Sequence, residues 1–165
     1  MTVKCLTAAL GVLLCAAIAQ AQVKGSGTFN CAKPDEEHKF DIGPNHSFAL
    51  NQSKCSADKD KPFTINGVKS GNGISTDFSE VQGNNVKFRG YYVDTMENGD
   101  KAEYSFQGTA AIKDGVMQPT GESWALVRAT GKLKGAKGKG TCKGKGAADG
   151  SVAWDCEGEY TLASK

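Results

Sequence analysis

Proline is scarce in this chain, with four in 165 residues against 21 glycines. That imbalance excludes a proline-rich linker and leaves glycine to do most of the turning. Histidine is rarer still. His38 and His46 do not stand at zinc-motif spacing from any cysteine, and no two cysteines form C-x-x-C. No metal site is therefore expected; the acids around the two histidines (Asp35, Glu36, Glu37, Asp41) read as a solvated loop. Catalytic signatures are missing too. There is no H-E-x-x-H and no G-x-S-x-G. Gly135 and Gly140 have phosphate-loop separation, but Thr141 stands where that loop needs lysine. Gly138 and Gly140 are followed by Lys143 where a dinucleotide motif needs its third glycine. Asp94, Asn98 and Gly99 imitate part of a calcium loop, yet Met96 and Ser105 occupy ligand positions and cannot serve. No catalytic residue, cofactor or metal is assigned on this basis. Large net charge is also lacking: 20 basic residues face 18 acidic ones, so nothing global points to nucleic acid.

Long apolar runs are absent after residue 21. Before it, Lys4 and the run CLTAALGVLLCAAIA lead to Ala19-Gln20-Ala21. This is the order of a signal peptide, 1–21, with cleavage after Ala21. The run is short for a bilayer span, and Leu14 before Cys15 argues against lipidation. The expectation is an exported chain, periplasmic or extracellular, with one domain over 22–165 and no membrane role after cleavage.

Four cysteines remain in that domain: Cys31, Cys55, Cys142 and Cys156. An even number in an exported chain reads as two disulfides. Helical periodicity is nowhere evident, whereas alternation between turn residues recurs. Candidate strands are Val23–Asn30, Lys39–Ile42, Ser47–Gln52, Phe63–Val68, Ile74–Val81, Asn85–Met96, Lys101–Lys113, Gly121–Ala129, Lys132–Gly146 and Ser151–Leu162. CAKPDEEHK and SADKDKP read as loops. Along Lys101–Lys113, Ala102, Tyr104, Phe106, Gly108, Ala110 and Ile112 share one face. Val86, Phe88, Gly90 and Tyr92 alternate likewise. Asn98-Gly99 between these strands signals a hairpin. A two-residue turn sets Asp94 against Glu103, and a one-residue shift sets Glu97 against Lys101; the register stays open between them.

The most unusual stretch is KLKGAKGKGTCKGKG, Lys132–Gly146, with six lysines, five glycines and no acid. A three-residue turn at Ala148-Asp149-Gly150 would place Cys142 opposite Cys156, Lys143 opposite Asp155 and Lys139 opposite Glu159. The same register lays Trp154 over Gly144 and Tyr160 over Gly138. One register thus closes a crosslink, pairs charges and covers bare glycines. Cys31–Cys55 then follows by elimination among three pairings.

ATGKLKGAKGKGTCKGKG (Ala129–Gly146) resembles the glycine-rich segment of allene oxide cyclase and dirigent-type barrels. YYVDTMENGDKAEYSFQGTA and AADGSVAWDCEGEYTL resemble parts of small exported bacterial proteins of uncharacterised function with that barrel. The resemblance implies an eight-stranded antiparallel barrel with a central cavity. It places no catalytic residue of either family on a position here.

The expected fold is therefore all-β: a disulfide-stapled, antiparallel up-and-down barrel of about eight strands. The expected function is a non-catalytic exported barrel binding a small, partly apolar molecule. Phe88, Tyr92, Tyr104, Phe106 and Ile112 would line its cavity, with no nucleic-acid partner. The alternatives are an isomerase-like or dirigent-like enzyme on an oxylipin or phenolic substrate, which needs a carboxylate or tyrosine in the lumen, and a weak polyanion binder using the lysines of 132–145.

Overall fold

The computed structural model describes residues 22–163, so the segment expected as a signal peptide, 1–21, lies outside the described residues. Long strands dominate: β1 (Val23–Cys31), β2 (Glu36–Gly43), β3 (His46–Ala57), β6 (Asn72–Gln82), β7 (Asn85–Thr95), β8 (Lys101–Lys113), β9 (Val116–Ala129), β10 (Lys137–Gly146) and β11 (Val152–Thr161). Two short strands, β4 (Thr64–Ile65) and β5 (Val68–Lys69), pair only with each other.

Eight strands close a ring in the order β1-β11-β10-β9-β8-β7-β6-β3, with β3 returning to β1. Every neighbour is antiparallel. Closure removes the open edges that would otherwise template aggregation. The seam between β1 and β3 is short: Phe29, Asn30 and Cys31 face Ala57, Ser56 and Cys55. A Cys31–Cys55 disulfide crosses it, with a Cα–Cα distance of 4.0 Å. After the seam the chain runs on into β2, which covers the first half of β3 and lies outside the ring.

The lysine-rich segment forms β10 from Lys137 onward. Cys142 faces and is bonded to Cys156, and Lys143 faces Asp155. Lys139 lies 3.6 Å from Glu159. Asp155 takes its hydrogen bond from Thr28 Oγ1 at 2.6 Å, since β1 flanks β11 on the other side. Gly150 has φ +86° and closes the turn at Ala148-Asp149-Gly150. Lys132 and Leu133, expected at the start of a strand, instead belong to a 3₁₀ turn, Gly131–Leu133, that buries Leu133.

The β7–β8 hairpin adopts neither register left open by its charges. Thr95 faces Lys101 and Asp94 faces Ala102. The loop is Glu97-Asn98-Gly99, with Met96 N–H donating to Asp100 C=O at 2.8 Å and Gly99 at φ +84°. This register sends Asp94 inward and spares it a facing acid. The segment expected as the strand Phe63–Val68 is a tight hairpin instead. Asn66 (φ +50°) and Gly67 (φ +74°) make its turn, the Asn-Gly signal of a two-residue hairpin. β9 begins five residues before its expected start and carries Pro119 beside a bulge between Thr109 and Ala110, where a missing N–H is tolerated. Glu36–Lys39, expected in a loop, belongs to β2, and β3 continues through Ser56 and Ala57.

One end of the barrel is plugged by the segment carrying β4 and β5. Phe63, Ile65 and Val68 bury themselves among Tyr104, Trp124, Leu126, Leu133 and Tyr160. Asn66 N–H donates to Tyr160 Oη at 3.1 Å, and Thr28 N–H to Lys61 C=O at 2.9 Å. The plug approaches β1 so closely that a Cβ on Gly27 would fall on the Phe63 backbone. The other end is open.

Candidate functional site: the barrel lumen

A cavity of about 350 Å³ occupies the lumen, within the range of small-molecule sites. Strand alternation decides what faces it. On β7 and β8 the apolar set turns inward, so Phe88, Tyr92, Tyr104, Phe106 and Ile112 all line the cavity. β9, β10 and β11 add Met117, Trp124 and Trp154, along with the Cys142–Cys156 disulfide; Cys31 and Cys55 line it as well. Bare glycines make the room: Gly140 and Gly158 accept the Trp124 ring edge, and Gly108 accepts that of Phe88.

Opposite this aromatic wall, β3 and β6 reverse the expected polarity. Phe48, Leu50, Ile74 and Phe78 lie on the outside, with Leu50 and Phe78 exposed, while Asn51, Ser53, Ser75, Asp77 and Ser79 line the lumen. Phe48 and Phe78 pack on each other outside at 5.1 Å between centroids, and Arg89 lies over Phe78. Inside, Asp77 Oδ2 accepts from Asn51 Nδ2 at 3.0 Å and from Ser79 Oγ at 2.7 Å. Asn51 also donates to Ser79 Oγ at 3.0 Å, so two linked side chains brace one carboxylate.

A second carboxyl faces the lumen from β9. Glu122 pairs with Gly108 on one side and Cys142 on the other. Burial, and then the charge of Asp77, push its carboxyl up from 4.5 to about 8. Glu122 thus holds a proton near neutrality while sharing the lumen with Asp77.

The lumen narrows toward the plug into a set of packed rings. Phe29 reaches from β1 to meet Tyr92 of β7 edge-on at 5.5 Å. Tyr92 stacks on Tyr104 at 6.1 Å, and Tyr104 meets Trp124 at right angles at 5.6 Å. Tyr92 Oη, Tyr104 Oη and Trp124 Nε1 are buried without a hydrogen-bond partner among the described residues. Near them Asp94 is wholly buried and accepts from Gly71 N–H at 3.1 Å. Burial pushes the Asp94 carboxyl up, against the nearby Ser70 hydroxyl and the Gly71 N–H, which draw it down. Burial, followed by the charge of Asp94, pushes both tyrosines above the usual phenol range.

Asp77 and Glu122 were not singled out from the sequence, and Asp94 entered there only as a calcium-loop look-alike and a hairpin position. For Glu122 a signal existed: it shares a strand face with Trp124 and Leu126, and a carboxylate on an apolar face marks a lumen position. For Asp77 the signal misleads, because Ile74 and Phe78 of β6 point away from the lumen. The lysines of β10 face outward, with Lys139 opposite Glu159 and Lys143 opposite Asp155 of β11. Among the described residues no cluster of His, Cys, Asp and Glu is arranged to hold a metal, and no helix is long and apolar enough to cross a membrane. The two disulfides fit an oxidising compartment.

No protein-family model matches the sequence, and no curated protein matches it. Among solved structures, the chain is similar to the pterocarpan synthase dirigent protein PsPTS1, at 13% identity and a TM-score of 0.51. The alignment covers 88% of this chain and 97% of that one. The pterocarpan synthase dirigent protein GePTS1 aligns at 11% identity and a TM-score of 0.48, over 95% of this chain and 98% of that one. At such identities the likeness is one of fold: an antiparallel, eight-stranded barrel resembling that of dirigent proteins.

Proposed function

We propose that the chain is an exported barrel that binds a small, partly apolar molecule in its lumen without transforming it. The observation that carries this reading is the cavity of about 350 Å³. One of its walls is aromatic, and three buried donors near its base (Tyr92, Tyr104 and Trp124) have no protein partner. A purely structural barrel of this size can fill its interior with side chains. Leaving buried donors unmatched costs about 1–3 kcal/mol each, and a ligand with an acceptor oxygen recovers part of that cost.

The test uses the two tryptophans, Trp124 and Trp154, both of which line the lumen. Native mass spectrometry of protein purified from its own exported fraction should show a retained small molecule. Titration of the emptied protein with aromatic alcohols and ketones should change tryptophan emission saturably and raise the melting temperature. No adduct, together with flat titrations across such a set, would overturn the reading.

A second reading, a dirigent-like or isomerase-like enzyme on a phenolic or oxylipin substrate, is favoured by one observation. Glu122 keeps its proton to about pH 8, as a general acid requires. Turnover of such a substrate that disappears in Glu122→Gln, while binding persists, would favour it over the non-catalytic reading.

A further inference from the structure

We infer that the lumen selects a cationic ligand, an apolar molecule bearing an ammonium or comparable positive group. The inference rests on the lumen being a ligand site, and it adds the charge of the ligand. Every ionisable side chain lining the cavity is an acid or a phenol: Asp77 and Glu122 within, Glu37 toward the open end, and Tyr92 and Tyr104 toward the base. Among the described residues no lysine, arginine or histidine lines it, although the chain as a whole carries a net +2.

Charge complementarity therefore excludes an anion, which would meet two carboxyls and no counter-charge. A neutral ligand would fit the aromatic wall but would strip water from Asp77 without replacing it. A cation resolves both difficulties. Its charge compensates Asp77 and favours the ionised form of Glu122 beside it. The facing wall adds Phe88, Phe106 and Trp154, with Phe88 6.0 Å from Trp154 and 6.3 Å from Phe106 between ring centroids. Ring faces around a cation add attraction that strengthens as water is excluded. Bracing of Asp77 by Asn51 and Ser79 fixes where the charge is met.

The experiment compares benzyltrimethylammonium with neopentylbenzene, its neutral carbon counterpart, and with phenylacetate. Binding is read from Trp124 and Trp154 emission and by calorimetry. The expected result is affinity for the ammonium about tenfold or more above the neutral compound, and no binding of phenylacetate. In Asp77→Asn/Glu122→Gln the preference should fall to within about twofold. Should that variant not fold, the wild-type protein supplies a second measurement. Ammonium affinity should rise as pH passes from 6.5 to 9.5, because Glu122 releases its proton to solvent over that range and its carboxylate joins Asp77 in meeting the cation, whereas neopentylbenzene affinity should not. Equal affinities for the two compounds in the wild type, or a preference that survives the double variant, would overturn the inference. If neutral aromatics bind and the ammonium does not, the charge assignment fails and the ligand site stands. If nothing binds, both fail.

Discussion

Replacing Glu122 with glutamine should make the barrel more stable at alkaline pH while changing little under acid. The folded protein holds the Glu122 proton up to about pH 8, against an ordinary 4.5. Its folded-state value is raised, so the associated stability is complete below about 4.5. It declines as pH climbs and is lost once pH exceeds about 8. The interval corresponds to at most about 5 kcal/mol, less what lumen water screens. For a domain of this size, that lowers the melting temperature by about 10 °C. Thermal unfolding of wild type and Glu122→Gln at pH 5, 6, 7, 8 and 9, at constant ionic strength, separates this group from every other titrating residue. The difference between the two curves should be small at pH 5, widen steadily to about pH 8 and level off by pH 9. Asp77→Asn should make Glu122 easier to ionise and so move the upper end of that widening to lower pH, but only modestly, because burial is the larger cause. Parallel curves for wild type and Glu122→Gln would refute the placement of a buried carboxyl on this wall.

Further expectations concern the frame. Loss of Cys31–Cys55 through paired alanines should cost about 3.5 kcal/mol and loss of Cys142–Cys156 about 3 kcal/mol by the chain-entropy relation, measured by urea unfolding. Gly27→Ala should lose about 1–3 kcal/mol by lifting the plug off β1, with exposure of Phe63 read by accelerated hydrogen exchange around Phe63–Lys69. Asp94→Asn should stabilise the protein at pH 7 relative to pH 3, because the burial that raises its carboxyl above the ordinary 3.8 penalises only the charged form and asparagine keeps an acceptor for Gly71 N–H. Lys139→Glu should cost no more than about 1 kcal/mol, since its pair with Glu159 is solvent-exposed.

The strands whose polarity is ordinary were legible in the sequence. β8 matches Lys101–Lys113 at both ends because Tyr104, Phe106 and Ile112 alternate with Glu103, Ser105 and Gln107. The β10–β11 register was legible because cysteine, lysine and glycine each demanded the same partner. The β7–β8 turn was not. Its charges favoured one register and opposed another, yet burial of Met96 and Asp94 chose a third. The plug was missed although Asn66-Gly67 announced it, since its apolar residues read equally well as a stave. The acidic side of the lumen was hidden for a physical reason. A barrel with a cavity has no need of hydrocarbon on every inner face, and β2 and Arg89 shelter some of the apolar residues that β3 and β6 turn outward. Alternation gives two faces but does not say which one is inside.

Pairing of the first strand with the last also governs how the ring can be assembled. Val23 finds its partner in Tyr160, 137 positions later in the chain. The hairpins from β6 to β11 can form as they emerge, but the barrel cannot close until its final strand exists. A topology so dependent on distant contacts folds slowly, and its unpaired first strand stays exposed meanwhile. The same arrangement leaves the two strand ends beside each other. A short glycine linker joining them, with new ends cut at Glu97-Asn98-Gly99, should yield a circular permutant with the same barrel and a different folding order.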